Sequence, residues 1–363
     1  MPVFHGPPVF LALLSVAVIV SAVTTAYLAS GRARLRILDH PNERSLHDTP
    51  VPRTGGLAIL AGLVAALASV TVLELGGLHP LTYPFPEASA ANVLWGLRWP
   101  LAALLLVAVV SFIDDQRGLG AGPRFAVHFF AAVLALAGGL ALAGLDLGNW
   151  SWALPGFVGG LFSVLFLTWM TNLYNFMDGM DGFAGGMGVI GFGFLGLFGW
   201  MGGESGYALL CWSTALACLG FLIFNFPPAR IFMGDCGAST LGFWAGVLIL
   251  WADVRGVVPL WAGVLVFSPF IVDATVTLLR RLLAGEAIWQ AHRSHYYQRL
   301  VQLGWGHRKT VLAEYVVMLV AGLSGLIFLR FANPLWVLPG LLLWGGIYLT
   351  LGVVVGRLER RQT

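Results

Sequence analysis

Long apolar runs, each close to the thickness of a lipid bilayer, alternate along this chain with short stretches that hold most of its charged residues. A helix needs about 20 apolar residues to cross the hydrocarbon core. Eleven runs reach or approach that length: 7–29, 55–75, 92–113, 124–144, 154–175, 183–202, 206–225, 236–252, 258–281, 311–331 and 334–356. The run 236–252 is the shortest and the weakest span. In lipid the backbone must satisfy its own hydrogen bonds, so runs of this kind form helices. The pattern predicts an all-α, polytopic integral membrane protein with about 11 transmembrane helices, folded as one domain over residues 1–363.

Loop charge then sets the orientation, because Lys and Arg collect on the cytoplasmic side. An outside N-terminus and a cytoplasmic C-terminus put 30–54, 114–123, 176–182, 226–235, 282–310 and the tail on the cytoplasmic side. These segments and their helix ends carry 17 of the 20 basic residues, leaving only Arg98, Arg255 and Arg330 outside. The one substantial outer loop is 76–91, where Pro80, Pro84 and Pro86 cannot continue a helix. Composition agrees, at 58% hydrophobic and 10% charged, against about 25% charged in soluble domains. A soluble protein is excluded and no nucleic-acid partner is expected. No Lys or Arg precedes the first run, which argues against a cleaved signal peptide. Cys211, Cys218 and Cys236 form no CxxC pair and read as buried free thiols.

Candidate chemistry lies where acids close the apolar runs, and the alternation puts Asp114, Asp115, Asp178, Asp181 and Asp235 on one side of the membrane. Carboxylates there are costly and point to function. Asp114 and Asp115 are adjacent, so a shared cation or proton would relieve their repulsion; a solvated helix-end turn would also use them. Asp178 and Asp181, each followed by glycine, share a face if the turn is helical, with Asn172 and Asn175 just before; a plain hairpin is the competing reading. Asp235 follows Pro227 and Pro228 and begins a helix, where it either binds a cation beside phosphate-binding amides or simply caps the helix. Asn225 and Phe232 belong to the same stretch, Phe232 placed to stack on a flat base.

Two further stretches are basic. In the loop 285–310, His292, Arg293, His295, Arg299 and His307 either face one anion together or touch anionic lipid. In the loop before the second span, Arg44, His47 and Arg53 either hold phosphate or reflect the charge bias alone. Asp273 lies one helical face from Arg280, so a structural ion pair is as natural as a functional role. His128 suits a packed, hydrogen-bonded residue, whereas Arg124, beside the Asp114–Asp115 pair, suits a phosphate contact.

Taken in order, these motifs resemble the polyprenyl-phosphate N-acetylhexosamine-1-phosphate transferase superfamily, the WecA and MraY enzymes. They comprise Pro41-Asn-Glu-Arg-Ser with Pro52-Arg-Thr-Gly-Gly, Asp114-Asp115, Asn172 through Asp178-Gly-Met-Asp181-Gly, Phe232-Met-Gly-Asp235 and the His292-to-His295 loop. That loop is most similar to the WbpL-like branch that starts O-antigen synthesis, and departs from the denser histidine cluster of the branch that uses UDP-MurNAc-pentapeptide. The resemblance implies catalytic roles for Asp114, Asp115 and Asp178, with Asp114 activating a lipid phosphate. It implies Mg²⁺ (Mn²⁺ as the alternative) on Asp235 with support from Asp115. Asn175, Asp178, Asp181, Asn225 and Phe232 would shape a uridine and metal pocket. Arg53 and Arg124 would contact phosphate, Arg124 standing where relatives often carry Lys, and His292 and His295 would bind diphosphate or sugar.

The expected reaction is transfer of an N-acetylhexosamine-1-phosphate from a UDP-sugar to undecaprenyl phosphate, releasing UMP at the cytoplasmic face of a bacterial inner membrane. The lipid bilayer and both substrates are the expected partners, and a homodimer is reasonable for the family. A direct attack and a two-step route through a phospho-aspartyl enzyme both fit, the direct one avoiding a second transition state. UDP-GlcNAc, UDP-QuiNAc and UDP-FucNAc all remain open as donors. A membrane transporter or lipid flippase is the rival, but its carboxylates would sit near the midplane in matched halves, and these gather at one surface.

Overall fold

The computed structural model describes residues 6–35, 37–41, 49–76, 90–148, 150–287, 292–330 and 334–361. Most of the loop 76–91, and Arg44 and His47, lie outside the described residues. All eleven apolar runs contain helix. The helices are α1 Gly6–Ala29, α2 Gly55–Leu75, α3 Ala90–Gly96, α4 Arg98–Arg117, α5 Ala121–Leu136, α6 Gly156–Phe176 and α7 Phe183–Met201, then α8 Ser205–Asn225, α9 Gly234–Val254, α10 Leu260–Val266, α11 Ser268–Leu283, α12 Tyr296–Leu300, α13 Gly306–Arg330 and α14 Pro334–Arg360. Among the described residues nine helices are long and apolar enough to cross a membrane, and the bent pair α10–α11 makes a tenth. Two short antiparallel hairpins complete the fold, β1 Leu38–Asp39 with β2 Val51–Pro52, and β3 Gly144–Asp146 with β4 Ser151–Ala153. The protein is an all-α polytopic membrane protein.

Three runs depart from the expected spans, each for a local reason. The run 124–144 is helical only to Leu136, 16 residues in all from Ala121. Gly139 takes a left-handed φ of 86° and the chain leaves the helix. Leu140 and Leu142 stay apolar because they are buried, with the Leu142 N–H donated to Ser163 Oγ at 3.0 Å; apolarity there reports packing, not helix. The run 92–113 is interrupted at Leu97, three residues before Pro100, whose ring excludes a helical carbonyl four residues back. The run 258–281 bends by 79° between α10 and α11, where Pro269 follows Ser268.

The shortest predicted span is the centre of the molecule. Helix α9 is 21 residues long, and 89% of its most apolar stretch lies inside the protein, against 17% for α14. It packs on α2, α4 and α6. Its polarity in the sequence comes from small residues, which let helices approach closely inside membranes. A Cβ on Gly237 would overlap Gly56 of α2, and one on Gly242 would strike the Met170 carbonyl and Tyr174 Cβ of α6.

Gly242→Ala should therefore lower thermal stability in detergent by about 1–3 kcal/mol through overpacking. Gly345→Ala on α14, with open space around the added methyl, should leave it unchanged; unfolding followed by near-ultraviolet circular dichroism compares the two.

Candidate active site

Helix α4 ends in the two adjacent acids because Gly118, at φ 65°, turns the chain and donates its N–H to Asp114 O at 2.8 Å. Neighbouring residues on a helix point in different directions, and these two find different partners. Asp114 Oδ1 accepts the Leu119 N–H across the turn, and Oδ2 accepts from Arg124 Nη1 at 2.8 Å. Asp115, 2% exposed, reaches the start of α9: Oδ1 accepts the Asp235 N–H at 3.0 Å and Oδ2 the Cys236 N–H at 2.9 Å. The first amides of a helix have no intrahelical partner, and a carboxylate satisfies them with favourable charge. Asp115 thus caps a helix other than its own. Gly234, just before, has φ 73°, and a Cβ there would lie 3.0 Å from Asp115 Oδ2. Arg53 donates from Nη2 to Asp115 O at 2.6 Å, with its Nε 3.8 Å from Asp115 Oδ1 and its Nη1 3.8 Å from Asp39 Oδ1.

The cap delivers Asp235 to the same point as Asp114. Arg124 Nη1 lies 2.9 Å from Asp235 Oδ2, so one guanidinium nitrogen bridges carboxylates from α4 and α9. The Asn175 amide is in hydrogen-bonding reach of Asp235. Asp178, in the turn between α6 and α7, carries a carboxyl pushed well above the usual range, first by burial and then by Asp235, Asp115, Asp39 and Asp181.

The rest of that turn is stapled in place. Asp181 Oδ2 accepts the Ala229 N–H at 3.0 Å, and Oδ1 lies 3.2 Å from His307 Nδ1. Asn225, 4% exposed, accepts the Gly182 N–H at 2.9 Å and donates to Ile231 O at 2.9 Å. Its amide therefore shapes the pocket by joining two loops. The Phe232 backbone pairs with Pro52 and Gly55. Its side chain lines a recess of about 410 Å³ with Thr49, Val51, Asp181, Pro227, Pro228, Ala229, His307 and Arg308, within the range of small-molecule sites.

The histidines form a neighbouring cluster. His295, 4% exposed, places Nδ1 3.3 Å from Asp273 Oδ1. His292 stacks obliquely on it with ring centroids 4.9 Å apart. The Ser294 N–H points at His292 Nδ1 at 3.3 Å and the Ser294 hydroxyl lies 2.8 Å from it, so Nδ1 accepts and the proton sits on Nε2. Burial, then His295 and Arg281, push His292 down to about 4, leaving a neutral ring that donates from Nε2 at pH 7. The Asp273–Arg280 ion pair is not formed. Asp273 accepts from the start of α12 instead, and Arg280 lies over the Tyr296 ring at 5.8 Å. His128 is packed and bonded to Asn172 Oδ1 at 3.3 Å.

Asp39 and His307 complete the inner site although neither stood among the assigned site residues. His307 was visible in its Gly-Trp-Gly-His motif, but its nearness to Asp181 depends on how α13 docks. Among the described residues no three of His, Cys, Asp and Glu already form a metal cage. Asp114 and Asp235, with the Asn175 amide beside them, nevertheless offer oxygen donors of the kind a hard cation such as Mg²⁺ takes, one or two carboxylates with phosphate and water completing the shell.

His292 yields a pH prediction. A ring held near 4 against an ordinary 6.5 contributes stability that is complete above pH 6.5 and lost as pH falls toward 4. The melting temperature of wild type should therefore drop more between pH 7 and 4.5 than that of His292→Asn; parallel slopes would remove this reading.

The family model of glycosyl transferase family 4 matches residues 97–253, a stretch holding both acids of α4, the α6–α7 turn and Asp235. A Mycobacterium leprae (strain TN) decaprenyl-phosphate N-acetylglucosaminephosphotransferase is 31% identical over 388 residues, covering 94% of this chain and 90% of its own. A Bacillus subtilis (strain 168) protein, "Probable undecaprenyl-phosphate N-acetylglucosaminyl 1-phosphate transferase", is 28% identical over 86% of this chain and 84% of its own. The undecaprenyl-phosphate alpha-N-acetylglucosaminyl 1-phosphate transferase of Escherichia coli (strain K12) is 25% identical over 87% and 84%. With likeness of this extent laid over a site built from the same motifs, the chain belongs to glycosyl transferase family 4, within the polyprenyl-phosphate N-acetylhexosamine-1-phosphate transferase superfamily.

Proposed function

We propose that the protein transfers an N-acetylhexosamine-1-phosphate from a UDP-sugar, UDP-GlcNAc first among the donors, to undecaprenyl phosphate. The observation that carries this reading is the meeting of Asp114 and Asp235 on Arg124 Nη1, beside a recess of nucleoside size. The names of the relatives support the sugar and the polyprenyl acceptor. The excess of Lys and Arg in the loops on the site's side supports a cytoplasmic face, where a soluble nucleotide sugar meets an embedded lipid. The likeness of the histidine loop to the O-antigen branch supports a first membrane step in making an envelope glycan.

The residues suggest a direct displacement. An oxygen of the lipid phosphate attacks the phosphorus bonded to the sugar, the bridging P–O bond breaks, and UMP leaves with its electron pair. Asp114, oriented by Arg124 and the Leu119 amide, takes the proton from the lipid phosphate. Arg124 and Arg53 bring positive charge to the phosphates, and Phe232 stacks on the uracil. Asp235, Asp178 and Asn175 would hold Mg²⁺, with Asp115 fixing Asp235; both Asp115 oxygens accept backbone amides, so its support for the metal is through position. When bound, the cation supplies charge neutralisation on the diphosphate. Phosphoryl transfer asks mainly for such positioning and electrostatics.

Purified protein with undecaprenyl phosphate, UDP-GlcNAc and Mg²⁺ should release UMP, and chelation should stop it. A panel including UDP-QuiNAc and UDP-FucNAc names the donor. Silence with all three would sink the proposal and return the transporter reading. Asp235→Asn should cost at least about 100-fold in kcat, the scale of losing one electrostatic partner of a transition state, while the protein still folds. Arg124→Lys keeps a point charge without the planar fork and should retain more activity than Arg124→Ala.

A further inference from the structure

Asp273 lies outside the inner site, on α11 past the 79° bend, yet a chain of contacts runs from it to the turn that carries Asp178. Its carboxyl is buried, at 8% exposure. Oδ1 accepts from the Tyr296 N–H at 3.0 Å and from Thr277 Oγ1 at 3.0 Å, and meets His295 Nδ1 at 3.3 Å. Oδ2 accepts the Tyr297 N–H at 3.2 Å. These are the first amides of α12, which a carboxylate from another element satisfies just as Asp115 does for α9. The capped helix presents Tyr297, fully buried, with its ring 4.7 Å from Phe183 and its hydroxyl donating to Phe176 O at 3.3 Å. The same hydroxyl fills the space where a Cβ on Gly179 would stand. Phe176 and Gly179 flank Asp178 in the turn, so Tyr297 is wedged against the backbone that aims that carboxylate.

We infer that Asp273 is a positioning residue for the transfer reaction: by capping α12 it seats Tyr297, and Tyr297 sets the Asp178 turn. This rests on the transfer reading above. Asp181, at the far end of the same turn, is held by Ala229 and His307 rather than by Tyr297. The recess where the nucleoside would bind should therefore be disturbed less than the Asp178 turn when Asp273 is changed.

The test is a kinetic cycle on detergent-purified, folded protein with UDP-GlcNAc, undecaprenyl phosphate and Mg²⁺. Asp273→Ala should lower kcat by about 10- to 100-fold, the scale of a misplacement near 1 Å, with the donor KM changed less than about threefold. Tyr297→Phe, which removes only the hydroxyl, should move kcat the same way by less. The double variant should be no slower than Asp273→Ala alone, because both act through one path. Asp273→Asn keeps one acceptor oxygen and should restore part of kcat. A kcat per folded molecule within twofold of wild type in Asp273→Ala, or losses that multiply in the double variant, would overturn the inference. If Asp273→Ala does not fold, Asp273→Asn and Tyr297→Phe with their double variant decide it by the same criteria. If wild type releases no UMP, the transfer reading fails by itself. Amide exchange across 292–300 then decides the positioning: faster exchange in Asp273→Asn than in wild type supports it, and equal exchange refutes it.

Discussion

One carboxylate crossing from the end of α4 to the start of α9 organises the site. Both oxygens of Asp115 are engaged by the Asp235 and Cys236 amides, groups that would otherwise be buried without partners. Because Asp114 is its immediate neighbour on α4, fixing Asp115 also fixes the backbone that carries Asp114. Because the capped amide belongs to Asp235, that side chain is brought to Asp114 as well. The cap is thus a structural contact whose geometric consequence is a catalytic constellation. Arg124, in the first turn of the next helix, supplies the counter-charge to both.

The same device is used at the edge of the site. Asp273 satisfies the start of α12 as Asp115 satisfies the start of α9. In each case a side-chain carboxyl from one helix accepts the first amides of another, groups that have no partner within their own helix. The difference lies in what the capped helix carries. At α9 it is the acid itself, whereas at α12 it is an aromatic side chain that leans on the turn carrying Asp178. The family's conspicuous motifs are therefore joined by contacts between them as much as by their own chemistry.

Much of this was legible from residues alone. The five acids at the ends of apolar runs do share one end of the bundle, as span parity requires. The Phe232-Met-Gly-Asp235 stretch lies against the Pro52-Arg-Thr-Gly-Gly loop through the Phe232–Pro52 and Gly55–Phe232 backbone bonds, a contact that neither motif announces. What went unread was partnership. Helical spacing put Arg280 on Asp273's face, but the desolvated amides of α12 compete better for a buried carboxylate than a guanidinium that can reach water. Asn225 likewise carried only its place in a motif, and that its buried amide joins Gly182 to Ile231 emerges from the fold.

The division has a physical basis. A bilayer imposes its thickness and its charge asymmetry residue by residue, so the chain by itself determined the helical class, the approximate spans and the gathering of the acids at one end of the bundle. It could not distinguish an apolar residue facing lipid from one facing protein, which is why 236–252 read as the weakest span and proved the most enclosed helix, and why 124–144 read as helix beyond Leu136. Tertiary structure alone decided which amides Asp115 and Asp273 would cap, how Arg124 would bridge two helices, and where Tyr297 would rest. Hydrogen bonds between distant segments depend on angles and separations that open only after the helices have packed.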